Sequence, residues 1–306
     1  MEPQVERLFK KARSGKAVLF LGAGASVGAG LPGGKELARR VSREFGAGID
    51  TDDFIEACTR LLDTPGINRA DVEDFLRTQL DGHPSEVHNS LPLNRWRAIF
   101  TTNFDDLVET AYRNSASRTQ RCEPVFSGNF SRRESDYMEL VRLFKLMGCV
   151  NGQSDDSHMA LSRSDYNRKL RHRGGLFQLV YDFAKDGTII YAGYSFDDLI
   201  ARDIIDEVMD EVGSDRLPWG WALLPHWDED LKQLLSQRKI LPLAMTVEQF
   251  MSDCLATPSI STEPEQSPAV TLTIGGIPID IPTRDMKMYA REFLLLHDDI
   301  GVSDIG

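Results

Sequence analysis

The chain has 306 residues, a formal net charge of -12, and 41% hydrophobic and 27% charged residues. That composition suits one large folded domain, or one and part of a second, and argues against broad, non-specific binding to a nucleic-acid backbone. No apolar run reaches the roughly 18 residues of a membrane span, and the first residues lack the apolar core of a signal peptide, so a cytoplasmic protein is expected.

In chain order, the first 16 residues form an amphipathic helix with Val5, Leu8, Phe9 and Ala12 on one face. The apolar run AVLFL at 17–21 then stops in a glycine-dense stretch, GAGASVGAGLPGGK. A helix follows at 35–45. Residues 49–91 carry helical spacing in DDFIEACTRLLDT and ADVEDFLRTQL, which predicts a helical insertion forming a small lobe at the sheet edge. Further buried-strand runs are RAIFT at 97–101, 143–146 with its continuation, TIIYA at 188–192, GWALL at 220–224 and 240–245. Helical patterns at 105–113, 197–212, 228–237 and 246–255 separate them. Alternation of this kind predicts a doubly wound, Rossmann-like parallel sheet over residues 1–256. The polar, proline-bearing stretch 257–269 reads as a linker. Residues 270–306 read as a hairpin turning at Gly275-Gly276 plus a helix at 285–296, packed on the main domain or beginning a further module.

The glycine-dense stretch has two obvious templates, and neither fits. A dinucleotide fingerprint placed at the strand end finds Gly22 and Gly24, but Val27 at the sixth position. Gly28, Gly30 and Gly33 match it literally, yet lie away from the strand end and enclose Pro32. A phosphate loop fails too, with Ala29 where its first glycine belongs and Glu36 where a magnesium-binding hydroxyl belongs. What remains is a strand, a turn of small residues and a helix start. Its backbone N–H groups either meet a phosphate or close a tightly packed turn.

In IFTTNFDDL, 100–108, Asp105 and Asp106 open a helix, and Asp106 reads as its cap. Asn103 stands at the carboxyl end of a strand, where open α/β sheets bind ligands, and its amide can hold a ribose hydroxyl or orient a water. In YAGYSFDD, 191–198, Gly193 permits close approach, Ser195 caps a helix or contacts a ligand, and Asp198 caps or meets a ribose. Arg163, Arg168, Lys169, Arg171, His172 and Arg173 form either a solvated helix face or a local anion or partner contact. Cys58, Cys122, Cys149 and Cys254 include no C-x-x-C pair, and the histidines show no metal-binding spacing, so reduced thiols and no metal are expected.

Four motifs in order carry a resemblance: GAGAS at 22–26 with AGLP at 29–32, TTNFD at 101–105, KLMG at 145–148 and GYSFDD at 193–198. Together, over about residues 5–255, they resemble the sirtuin-like NAD-binding fold, and most closely its bacterial branch of NAD-consuming effectors in phage defence. That resemblance implies an NAD+ hydrolase of the cytoplasm, homo-oligomeric or joined to a sensor or activator. The absence of a four-cysteine zinc ribbon points away from protein deacylation. It also implies that Ala23, Gly24 and Ser26 meet the pyrophosphate and ribose, with Gly22, Pro32 and Thr102 also among the NAD-binding residues. Asn103 and Asp105 would act at the nicotinamide ribose, and Gly193, Tyr194, Ser195 and Asp198 at the adenosine side. One position departs from the family: Met147 stands where its catalytic histidine usually does, and a thioether cannot accept a proton at neutral pH. Three consequences stay open: a silent NAD- or ADP-ribose-binding module, cleavage by Asn103 and Asp105 without that base, or a substitute histidine such as His158.

Overall fold

In the computed structural model, the described residues are 3–46, 48–126, 138–154, 157–172, 188–194, 196, 206, 220–256, 269–274 and 277–282. The chain divides into two compact units, Met1–Pro258 and Ser259–Gly306. The first opens with α1 (Pro3–Arg13), β1 (Ala17–Leu21), α2 (Gly24–Val27) and α3 (Gly34–Glu44). The insertion supplies α4 (Phe54–Leu62), α5 (Arg69–Gln79) and α6 (Glu86–Ser90), with a 3-10 turn at Leu91–Leu93. There follow β2 (Ala98–Thr101), α7 (Leu107–Asn114), β3 (Arg121–Val125), β4 (Leu140–Lys145), α8 (Arg163–His172) and β5 (Thr188–Ala192). β6 (Gly220–Leu224), α9 (Glu229–Gln237), β7 (Ile240–Ala244) and α10 (Val247–Ala256) complete it.

Every strand pair in the seven-stranded sheet is parallel, in the order β3-β4-β2-β1-β5-β6-β7. The two-residue period of a strand distributes its side chains between two cores. Val18, Phe20, Phe100, Phe144, Tyr191 and Ala222 face one; Leu19, Leu21, Ile99, Leu143, Ile190 and Leu223 face the other. Because both faces are covered, the strands read as continuous apolar runs. Across the first face, ring pairs Phe144–Phe100, Phe100–Phe20 and Phe20–Tyr191 stand at 4.6, 5.9 and 5.6 Å, one from each of four neighbouring strands.

The doubly wound parallel sheet is as the sequence predicts, with two differences. The insertion does not form a lobe at the sheet edge. Ile55, Cys58, Leu61, Val72 and Leu76 share the core of Phe20 and Phe100, whereas Val87 of α6 joins the opposite core with Leu8, Phe9 and Phe250. β3 was not anticipated: it is an edge strand whose RCEPV sequence buries only Val125 fully. The predicted helix at 197–212, apart from residue 206, lies outside the described residues, as do most of the linker and the terminal helix. The second unit contains an antiparallel hairpin, β8 (Ala269–Ile274) with β9 (Ile277–Pro282), closing at the pair Ile274–Ile277.

Candidate functional site

The chain passes from β1 to β2 and β4 on one side, then returns to place β5 on the other side of β1. Such a reversal opens a crevice at the strand carboxyl ends. Three segments leave strands here: residues 22–26 after β1, 102–105 after β2 and 193–194 after β5.

The first and third are clasped backbone to backbone. The Gly22 N–H donates to Ala192 O and the Gly24 N–H to Gly193 O, both at 2.9 Å. A Cβ on Gly22 would stand 2.5 Å from Gly193 O, and one on Gly193 would stand 2.3 Å from the Ala25 nitrogen. Gly193 also has φ +73, a left-handed conformation that only glycine adopts freely. These glycines are required by close packing. The amides of Gly22, Gly24, Ala25 and Ser26 all donate to protein carbonyls, so these four N–H groups are already satisfied within the protein. By contrast, a Cβ at Gly30 or Gly33 meets nothing within 4 Å; Gly30 is held to glycine by its φ of +82 rather than by close packing, and this stretch leads into α3. Pro32 is buried beside it.

The second segment supplies most of the polar chemistry. The Thr101 hydroxyl donates to Leu21 O at 2.9 Å and accepts from the Asn103 N–H at 3.0 Å, fixing the Asn103 backbone above β1. Asn103 Nδ2 donates to Gly22 O at 3.1 Å and to Ser26 Oγ at 3.3 Å. The Ser26 hydroxyl donates to Asp105 Oδ2 at 2.9 Å, while Asp105 Oδ1 accepts the Leu107 N–H at 3.2 Å. Ser26 is 2% and Asp105 5% exposed, so both are buried behind the half-buried Asn103. Asp106 is the N-cap residue of α7, as the sequence suggested, but its side chain makes no capping bond there and accepts from Asn151 Nδ2 at 3.1 Å; the Asp105 carboxylate takes the first helical N–H instead. Thr102 Oγ1 and the Tyr194 hydroxyl, 2.9 Å apart, join the second segment to the third. The Tyr194 ring meets Phe20 edge-on at 5.3 Å.

Beneath the segment, Lys145 at the end of β4 donates from Nζ to Asp105 O and pairs with Glu109 at 3.0 Å. Burial opposes its charge, but the Glu109 carboxylate and neighbouring groups outweigh it and hold its pKa above the usual lysine value. The ammonium therefore stays charged and pins the Asp105 backbone.

Met147 is 3% exposed and packs in the apolar core with Leu146, Val150 and Met159. His158 lies on the surface, its backbone N–H bonded to Ser154 O. The imidazole the structure does bring in is His88 of α6, 1% exposed, with Nε2 3.5 Å from Ser26 Oγ. Burial lowers its pKa below 6.5, partly offset by the Asp105 charge. Its sequence signal was slight: Ser85 stands three residues ahead of it, the spacing of a capping box. Ala23 is half-buried and Gly24 exposed on the turn itself, while Ser195 and Asp198 lie outside the described residues. All four cysteines are free thiols. Arg168 of the basic helix pairs with Asp165 at 2.6 Å.

A cavity of about 530 Å³ lies to the β3 side, lined in part by Asp106, Glu109, Arg118, Arg121, Cys149 and Asn151. Neither Asn103 nor Ser26 lines it.

Residues 97–243 match the family model of the SIR2-like domain, a span holding TTNFD, KLMG and GYSFDD but not the β1 turn. No curated protein matches the chain. Among solved structures, Sir2 in complex with the inhibitor EX-527, 2'-O-acetyl-ADP-ribose and a deacetylated p53 peptide is 12% identical, with TM-score 0.39 over 78% of this chain and 92% of that one. Sir2Tm bound to a propionylated peptide is 14% identical, with TM-score 0.42 over 83% and 98%. A third structure, concerned with sirtuin substrate affinity, is 13% identical, with TM-score 0.40 over 83% and 97%.

Proposed function

We propose that this chain is an NAD+ glycohydrolase: it binds NAD+ at the β1–β2–β5 crevice and releases nicotinamide and ADP-ribose. The match of residues 97–243 to the SIR2-like domain makes NAD+ the leading substrate. The observation that carries the chemistry is Asn103. Gly22 O can only accept a hydrogen bond, so the Asn103 NH2 group must face it, and Oδ1 is turned the other way. Among the described residues nothing donates to Oδ1, which leaves it as an acceptor for a water or a ribose hydroxyl.

In the reaction, the bond between the nicotinamide nitrogen and the ribose C1 breaks, and the pair of electrons leaves with neutral nicotinamide. The resulting oxocarbenium carbon takes the oxygen of water, and the water proton passes to solvent. A cationic leaving group departs without protonation, so the step depends mainly on orientation and on charge placed near the developing cation. Asn103 Oδ1 orients the water or ribose. Asp105, buried behind Ser26, accepts from the Ser26 hydroxyl and the Leu107 N–H and holds the network. Loss of a general base costs about 10²–10⁴-fold, and Met147 places this chain under that handicap.

The motif resemblance further supports the role of a defence effector in the cytoplasm, assembled as a homo-oligomer or with a sensor protein. The second reading, a silent sensor of NAD or ADP-ribose, is favoured by the buried thioether of Met147. One assay separates the readings: purified protein is incubated with NAD+, with and without an acetylated peptide, and free nicotinamide is followed. Release independent of peptide supports the hydrolase. Release only with peptide indicates a deacylase, and binding without release indicates the sensor.

A further inference from the structure

We propose that His88 is a positioning residue of the Asn103 site: its Nε2–H, held by Ser85, orients Ser26 and through it Asn103 and Asp105. The proposal rests on the glycohydrolase reading for its kinetic consequence, but not for its geometry.

The argument follows the protons. The Ser85 backbone N–H lies 3.3 Å from His88 Nδ1 and can only donate, so Nδ1 must accept. The Ser85 hydroxyl, 2.9 Å from the same nitrogen, adds a second polar contact there. A neutral imidazole accepting at Nδ1 carries its proton on Nε2, and Nε2 faces Ser26 Oγ at 3.5 Å. Burial disfavours the imidazolium, so this neutral form persists at pH 7.

Ser26 Oγ then has all its capacities used. It accepts from His88 Nε2 and Asn103 Nδ2, and it gives its own proton to Asp105 Oδ2. If His88 presented an acceptor at Nε2 instead, Ser26 could turn its proton toward the ring, and Asp105 would lose that donor. The tautomer locked by Ser85 therefore decides which way the Ser26 proton points. It leaves Asp105 hydrogen-bonded to Ser26 and the Leu107 N–H, and Asn103 with Oδ1 outward. Without this donor the hydroxyl rotates, and the amide loses one of the two anchors that fix its orientation.

Two measurements test this. In protein labelled with 15N-histidine, NMR should show His88 neutral at pH 7 with its proton on Nε2; the Nδ1–H tautomer, or an imidazolium, would overturn the proposal. For turnover, His88→Ala should lower kcat for nicotinamide release about tenfold, the worth of one orienting hydrogen bond, with KM within about twofold. His88→Gln, whose amide can donate toward Ser26, should recover most of the loss. Equal losses in both variants, tracking an equal fall in melting temperature, would show a merely structural histidine. Wild-type protein that binds NAD+ but releases no nicotinamide overturns the glycohydrolase reading alone; the tautomer still decides the role of His88.

Discussion

Replacing Gly193 with alanine tests how the crevice is built. The residue has φ +73, and a Cβ there would lie 2.3 Å from Ala25 N and 2.9 Å from Gly24 C, both backbone atoms. Placing alanine in the left-handed region costs about 1–2 kcal/mol. The β1 turn must then move away, breaking the 2.9 Å bond from the Gly24 N–H to Gly193 O, worth about 1 kcal/mol net. The sum of about 2–3 kcal/mol should lower the melting temperature by about 5–10 °C for a domain of this size. Gly33→Ala is the control, since its φ is -71 and a Cβ there meets nothing; its stability should stay within about 0.5 kcal/mol of wild type. Thermal unfolding of both variants, followed by circular dichroism, provides the measurement. Equal stability of Gly193→Ala and wild type, or an equal loss in Gly33→Ala, would refute the packing argument.

Lys145→Met should destabilise the fold by about 3–5 kcal/mol in urea titration, because it strands the buried Glu109 carboxylate, and Glu109→Leu in the same chain should restore much of that loss. His88 has a folded pKa below its unfolded value of 6.5, so the unfolded chain binds the extra proton. Stability should therefore be full above about pH 6.5 and fall as the pH drops below it, a slope that His88→Gln removes in pH-dependent melting curves. Asp165 acts in the same direction at lower pH: burial raises its pKa, but bonding to Arg69 outweighs this and holds it below 3.8. Its contribution is present above that value and is lost as pH falls through the lowered pKa, so Arg69→Met should flatten the acid limb. Met147→His should raise nicotinamide release by restoring an imidazole at the β4 end, while a fall in melting temperature reports its polar ring in an apolar site.

The sheet was legible because its central strands are buried on both faces and read as uninterrupted apolar runs. β3 was not, since RCEPV at an edge carries arginine, glutamate and proline on positions that face solvent. The insertion helices were legible as amphipathic, but amphipathicity does not say which side of a sheet a helix covers. Hence α4 and α5 went to one core and α6 to the other. At the site, strand-end position separated Gly22 and Gly24 from the literal match at 28, 30 and 33. Their partners, the Ala192 and Gly193 carbonyls, lie about 170 residues further along the chain and leave no local trace. His88 escaped because a single histidine in EVHNS looks like any helix residue until Ser26, 62 positions earlier, is folded against it.

The central claim is that Asn103, with its amide turned by Gly22 and Ser26, presents the acceptor on which NAD+ cleavage depends. The direct measurement is a progress curve of free nicotinamide and ADP-ribose from NAD+ alone, for wild type and Asn103→Ala, with NAD+ affinity measured alongside by calorimetry. The account predicts the two products in equal amounts from wild type, and their loss in Asn103→Ala with NAD+ still bound. Unchanged release in Asn103→Ala, or NAD+ bound but intact in wild type, would contradict it.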